Sequence, residues 1–315
     1  MTTTHVRVML AGILVACGTL AVAVGVTDDD APATGTRTDA AAAKGPYVAL
    51  GDSYTSGPEI PDRTGTPAGC ERSSRNYPAL VAADLGLTGA GFRDVSCSGA
   101  KITDLTTTQS TADGTNPAQL TALSSDTRLV TVGIGGNDVG FSSMIKRCVG
   151  MGALYKLAGS GKYLSEDAPC ARQYGGSGDS VEERIDEADG RLTRTLAEVR
   201  RRAPQARVYV VGYPAIFPAD SAECGREMSL APGDVTFLRE TELQLNGMLR
   251  QRAKASGIGY VDTYKPSEGH DACSAEGTRW IEPLVPKSPA AAVHPNERGE
   301  RGMADAVLHT VRSAL

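Results

Sequence analysis

Arg128-Leu129-Val130-Thr131-Val132-Gly133-Ile134 is an apolar run closed by Gly135-Gly136. A strand with one wet face alternates apolar and polar residues. This run hardly does, so it reads as a strand covered on both faces, as in a parallel sheet. Moving outward, Tyr47–Leu50 is a similar run ended by Gly51, Arg207–Val211 one ended by Gly212, and Ile258–Val261 a fourth. Helical spacing fills the intervals. Tyr77–Leu85 stops at Gly86, and Val181–Arg202 is opened by the capping box Ser180-Val181-Glu182-Glu183. Asp234–Ala255 follows, and Asn296–Ala314 closes the chain with Asn296 as its expected N-cap. Strands alternating with helices predict an α/β fold, a three-layer α/β/α arrangement around a central, mostly parallel, flavodoxin-like sheet. One domain over 45–315 accounts for the pattern, with the Gly-rich insertion 142–179 expected on the surface.

The chain ahead of that domain has a different character. Arg7 precedes Val8–Val26, which carries no charged side chain, so 1–26 reads as a signal peptide or other apolar targeting segment. Ala31-Pro32-Ala33 offers small residues for cleavage, and 27–44, rich in Ala, Thr and Asp, reads as a flexible spacer. A secreted, extracellular form is expected. A lipid-anchored form through Cys17 and a retained membrane anchor are the alternatives. Setting Cys17 aside leaves six of the seven cysteines: Cys70, Cys97, Cys148, Cys170, Cys224 and Cys273. An even number on an exported chain predicts three disulfides, and no C-x-x-C pair suggests a metal site. Spacing leaves the pairing open, with nearest-neighbour pairing closing the shortest loops.

A formal net charge of −5, with no long block of like charge, excludes a dedicated nucleic-acid binder. In parallel sheets ligands sit at the carboxyl ends of the strands. The loops to inspect therefore begin Gly51-Asp52-Ser53, Ser98-Gly99-Ala100 and Gly135-Gly136-Asn137-Asp138. Ser53 directly follows a strand but is not in a G-x-S-x-G elbow, since Thr occupies position 55. No Lys-Ser or Lys-Thr makes this a phosphate loop, and Gly133-Ile134-Gly135-Gly136 lacks dinucleotide-binding spacing. A serine hydroxyl needs an adjacent base. Of four histidines, His5 lies in the targeting segment, His309 inside the last helix, and His270 in a loop near Cys273. His294, in the Pro-flanked loop Ala292-Val293-His294-Pro295-Asn296, is the one placed to act as a general base. Acyl transfer also needs fixed N–H donors for an oxyanion, and Ser53 N–H, Gly99 N–H and the Asn137 amide could supply them from three strand ends.

These blocks together resemble the GDSL or SGNH hydrolase family, and within it the secreted lipases and phospholipase A1 enzymes of actinomycetes. The likeness rests on Ala49-Leu50-Gly51-Asp52-Ser53-Tyr54, Ile134-Gly135-Gly136-Asn137-Asp138, Gly269-His270-Asp271-Ala272-Cys273, Gly277–Leu284 and Val293-His294-Pro295-Asn296. It spans nearly all of 46–315. The resemblance implies Ser53 as nucleophile, His294 as base, and Ser53, Gly99 and Asn137 as the oxyanion hole. It also implies three sequential disulfides and no cofactor or metal. One departure stands out. Where many members have Asp three residues before the His, this chain has Ala291, so a main-chain carbonyl of Ala292 or Ala291 is expected to orient the imidazole. The expected activity is hydrolysis of a lipid or small carboxylic ester through an acyl-serine, with the Pro58-Glu59-Ile60-Pro61 loop as an acyl-binding groove. A carbohydrate acetyl esterase on the same scaffold, or an inactive binding module, is the alternative. A monomer is expected, with transient lipid-interface contact and no nucleic-acid partner.

Overall fold

The computed structural model describes residues 45–157, 167–174, 180–224 and 227–314. The targeting segment and spacer expected over 1–44 lie outside the described residues. Among the described residues seven strands are formed: β1 (Tyr47–Gly51), β2 (Phe92–Asp94), β3 (Gln109–Thr111), β4 (Gly114–Asn116), β5 (Leu129–Gly133), β6 (Arg207–Val211) and β7 (Gly259–Val261). The central sheet has the order β2-β1-β5-β6-β7, and every pairing in it is parallel. β3 and β4 form a separate antiparallel ladder.

Side chains alternate across the sheet and are buried on both sides. Val48, Leu50, Val130, Val132, Val208 and Val210 enter one apolar cluster, while Tyr47, Ala49, Leu129, Tyr209 and Val211 enter the other. The first cluster is covered by α3 (Phe141–Leu157), α4 (Val181–Arg202) and α5 (Pro232–Ala255). The second is covered by α2 (Tyr77–Asp84) and α6 (Glu297–Ser313). A one-turn helix, α1 (Ser53–Ser56), follows β1. The capping box forms as read: Ser180 Oγ accepts the Glu183 N–H, and Glu183 accepts the Ser180 N–H. Asn296 caps α6 by accepting from the Arg298 and Gly299 amides.

The insertion expected on the surface is only partly there: residues 141–157 are a helix with one exposed face, while Phe141, Met144, Ile145 and Cys148 are buried against α5 and the core. Residues 158–166 and 175–179 lie outside the described residues. β2 and the β3–β4 hairpin are too short to show a period in sequence. The disulfides join Cys70 to Cys97, Cys148 to Cys170 and Cys224 to Cys273.

From β1 the chain steps outward to β2, then returns past β1 to β5, β6 and β7. The sheet's switch point therefore lies between β1 and β5, where the crevice of an open α/β sheet forms. Two of the three loops singled out for chemistry, those after Gly51 and Gly133, leave the sheet there.

Candidate active site

Gly51 ends β1 where no side chain fits. A Cβ there would lie 2.2 Å from Thr55 Oγ1 and 2.6 Å from the Gly133 carbonyl. Buried Gln119 clamps the residue from the other side, accepting from Gly51 N–H at 2.8 Å and donating to its carbonyl at 2.9 Å. The chain then turns into α1, where Asp52 is the N-cap and its carboxylate accepts the Tyr54 N–H. The Asp52 N–H bonds the Gly133 carbonyl at 3.0 Å, tying this loop to the end of β5. Ser53 is thus the first residue of a helix turn. Its hydroxyl faces His294: Ser53 Oγ and His294 Nε2 are 2.8 Å apart.

His294 is carried on the loop before α6. The Glu282 N–H bonds the His294 carbonyl and the Val293 N–H bonds the Glu282 carbonyl, both at 3.0 Å. Val293 sits at φ 61°, a left-handed conformation unusual for a β-branched residue. Its carbonyl accepts the Tyr54 hydroxyl at 2.6 Å, and the Tyr54 ring lies 5.0 Å from the imidazole. His294 Nδ1 is 2.8 Å from the Ala292 carbonyl. A carbonyl can only accept, so Nδ1 carries the proton and Nε2 presents its lone pair to Ser53. The Ala291 carbonyl is occupied by the His294 main-chain N–H. Glu282, the nearest carboxylate upstream on the loop, is engaged by Asn296 Nδ2 and the Lys287 and Ser288 amides. Burial pushes the imidazole pKa below its ordinary value, with Lys146 adding to the effect, against the opposing Ala292 bond and Glu71. The ring is therefore neutral at pH 7.

The remaining predicted residues gather at the same sheet edge. Gly99 follows β2 at φ 76°, on a loop held by the Cys70–Cys97 disulfide and the Cys97 N–H to Gly51 carbonyl bond. Among the described residues neither the Ser53 nor the Gly99 N–H has a hydrogen-bond acceptor. Asn137 follows β5, and one of its amide hydrogens is fixed on the Ala100 carbonyl at 2.9 Å, leaving the second for a ligand. Asp138 instead accepts the Ile102 N–H, a structural tie. His270 bonds the Thr278 carbonyl and stacks on Trp280, and His309 is exposed on α6.

Tyr213 escaped the sequence reading. Its hydroxyl donates to Asp52 Oδ2 at 2.5 Å and accepts the Gly136 N–H at 2.8 Å, so it bolts the Ser53 loop to the Asn137 loop. Burial lifts the Asp52 pKa to about 7, with the Tyr213 and Tyr54 hydrogen bonds holding it down and Asp138 pushing it further up. The rule that selected the other loops applied equally to Gly212-Tyr213-Pro214 at the end of β6.

A cavity of about 370 Å³ opens beside Ser53 and His294, and its apolar wall is Phe141, Ile145 and Val149 of α3, Leu245 of α5, Ile216 and Leu284. Glu242 also faces it, but burial holds its carboxyl well above the ordinary range, so the wall carries no charge there. The 58–61 loop does not form this groove. Ile60 is packed inward and Pro61 borders a different cleft, because the Pro58 carbonyl is tied back to Ala291. What the arrangement offers chemically is a hydroxyl with a base in contact, N–H donors around it and an apolar slot alongside.

Residues 49–301 match the model of the GDSL-like lipase/acylhydrolase family. The chain is 42% identical over 304 residues to lipase 2 of Streptomyces coelicolor, covering 95% of each sequence. Among solved structures it resembles phospholipase A1 of Streptomyces albidoflavus, with TM-score 0.67, 28% identity and coverage of 85% of this chain and 99% of that one. The extracellular lipase of Streptomyces rimosus is similar at TM-score 0.66 and 28% identity, covering 84% of this chain and 99% of that one.

Proposed function

The chain belongs to the GDSL-like lipase/acylhydrolase family and is a serine ester hydrolase of the lipase and esterase type, and on that premise we propose that Ser53 is its nucleophile and His294 its general base. The observation that carries this is the 2.8 Å contact between Ser53 Oγ and His294 Nε2 at the mouth of an apolar cavity. In the reaction His294 Nε2 takes the Ser53 proton as Oγ attacks the ester carbonyl carbon. Negative charge collects on the carbonyl oxygen, where Ser53 N–H, Gly99 N–H and the Asn137 amide donate to it. The tetrahedral species collapses to an acyl-serine, and the imidazolium returns its proton to the departing alcohol. Water, deprotonated by the same ring, then attacks the acyl carbon and releases the carboxylic acid and free Ser53. The Ala292 carbonyl plays the part of the missing carboxylate, holding the tautomer and stabilising the imidazolium by a hydrogen bond without a full charge.

The apolar wall of Phe141, Ile145, Val149 and Leu245, with Lys146 the one cation on the lining, supports a medium or long acyl chain as the preferred acid portion, as in a lipase or phospholipase. An enzyme confined to acetyl groups has no use for such a wall. The domain over 45–315 is read as the working unit, a monomer. Three disulfides suit export to an oxidising compartment, and no helix of the described residues is long and apolar enough to cross a membrane.

The test is hydrolysis of p-nitrophenyl esters of increasing acyl length, with phosphatidylcholine alongside, by the parent and Ser53→Ala. Turnover that rises with chain length and disappears in the variant is expected. Retained turnover in Ser53→Ala would remove Ser53 from the mechanism, and activity restricted to acetate would remove the lipid reading.

A further inference from the structure

The large apolar side chains left exposed among the described residues are Leu154, Leu157, Leu243 and Val285. All four belong to the elements that wall the acyl cavity. Leu154 and Leu157 are on α3 with Phe141, Ile145 and Val149, Leu243 is on α5 with Leu245, and Val285 follows Leu284. Scattered surface leucines need no explanation, but exposure confined to the elements around one opening does.

α3 shows how that face is organised. At 100° per residue, Arg147 and Leu154 are seven apart, and Lys146 and Leu157 eleven apart, so each pair shares a strip to within about 20°. Both strips face outward: Lys146 and Arg147 are exposed, Leu154 is 61% and Leu157 85% exposed. Gly150 lies between the strips, and a Cβ there would meet nothing within 4 Å, so the face is uncovered at its middle. The helix carries Lys146, Arg147 and Lys156 and no carboxylate, in a chain whose net charge is −5. The neighbouring Asp167 carboxylate accepts the Tyr155 hydroxyl. Cationic and apolar side chains interleaved beside a hydrophobic slot match a surface of anionic headgroups over acyl chains, and an aqueous protein surface has no reason to select that combination.

We propose that the outward face of α3, with exposed Val285 next to the cavity-lining Leu284, is a docking surface for an anionic lipid interface. On it, Leu154, Leu157 and Val285 enter the acyl boundary while Arg147 and Lys146 meet the headgroup phosphates. The slot between Ser53 and α3 then opens onto the lipid, and an acyl chain passes into it without crossing water. This rests on the ester-hydrolase reading, which supplies the substrate for which such docking matters.

The experiment is sedimentation of the purified protein with vesicles of ether-linked phosphatidylcholine and phosphatidylglycerol in equal parts, which contain no ester to cleave, and with ether-linked phosphatidylcholine alone. The parent is expected to bind the mixed vesicles, more weakly the zwitterionic ones, and to be released by salt. The double variant Leu154→Glu/Leu157→Glu and the single variant Arg147→Glu are expected to weaken binding about tenfold and about fivefold. None of the three residues lines the cavity, so turnover of dissolved p-nitrophenyl acetate by the variants should stay within about twofold of the parent, a range well below one kcal/mol of transition-state energy. Should the double variant lose that turnover by misfolding, Arg147→Glu decides. No binding by the parent, equal binding to both vesicle types, or unchanged binding by the folded variants overturns the proposal. If the vesicle pattern holds while ester turnover is absent, the surface stands and the hydrolase reading falls.

Discussion

Ser53 and His294 are 241 residues apart in the chain, so their 2.8 Å contact depends on what fixes the two loops to each other. Two tyrosines do so. Tyr54 reaches across to the Val293 carbonyl, and Tyr213 joins Asp52 to the Gly136 amide. Replacing Tyr213 with Phe leaves a buried carboxylate and a buried N–H each short of a partner, a loss of about 1–3 kcal/mol per group. Part of that cost is expected to appear as displacement of Asn137 from the oxyanion. Tyr213→Phe should then lower kcat about tenfold or more with KM nearly unchanged, since the donor acts on charge that develops only in the transition state. A raised KM with kcat intact would contradict this. The pH profile tests the base. Only neutral His294 can accept the Ser53 proton, and burial lowers its pKa, so kcat/KM should hold as pH falls past about 6.5 and decline only below it. A decline centred near 7 would instead report Asp52, whose pKa is about 7. That limb should move upward in Tyr213→Phe, because the phenol hydrogen bond is one of the contacts holding Asp52 down.

At the scale of elements, what could be read from the sequence was whatever has a period or a strong cap. β1, β5 and β6 are continuous apolar runs, and α4 and α6 announce themselves through Ser180 and Asn296. α3 did not, because Gly150 and Gly152 interrupt it and its cations lie close to its apolar positions. Its burial is settled by tertiary partners instead: Gly152 packs against the backbone of Ser229 and Leu230, and Cys148 bonds Cys170. Hence the strand ends bearing Ser53 and Asn137 were legible, Gly99 was reached only through its loop motif because β2 has no period, and the wall expected to choose the acyl group was not legible. The 58–61 loop was the wrong groove for the same reason, since apolar composition does not tell which side of a loop is tied down. That wall gives a prediction of its own. Val149→Trp fills the slot about two turns along α3 from Phe141, on an element separate from those carrying Ser53 and His294. kcat/KM for long-chain esters should fall about tenfold or more, as overpacking costs about 1–3 kcal/mol, while acetate turnover stays close to the parent. Equal loss on both substrates would show that the slot does not hold the acyl chain.

Across the whole molecule, the disulfides and the chemistry share the carboxyl edge of the sheet. Cys70–Cys97 braces the loops of Ser53 and Gly99, Cys148–Cys170 anchors the helix walling the cavity, and Cys224–Cys273 ties the β6–α5 connection to the loop of His270. Loops on that edge lack the ladder hydrogen bonds that hold the strands, and they cannot bury much apolar surface without closing the crevice. Covalent closure substitutes for both. The bridges span 27, 22 and 49 residues, and loop-closure entropy for such lengths is about 3–4 kcal/mol each. Together that is on the order of 10 kcal/mol, as large as the entire net stability of an ordinary domain. Complete reduction should therefore lower Tm by about 20 °C or more at neutral pH, since one kcal/mol moves the midpoint of a domain this size by about 2–4 °C. Differential scanning calorimetry with and without thiol reductant, with free thiols counted to verify reduction, measures it. An unchanged Tm with six thiols free would mean that the two apolar clusters alone hold the sheet and its loops, and that the bridges serve something other than stability.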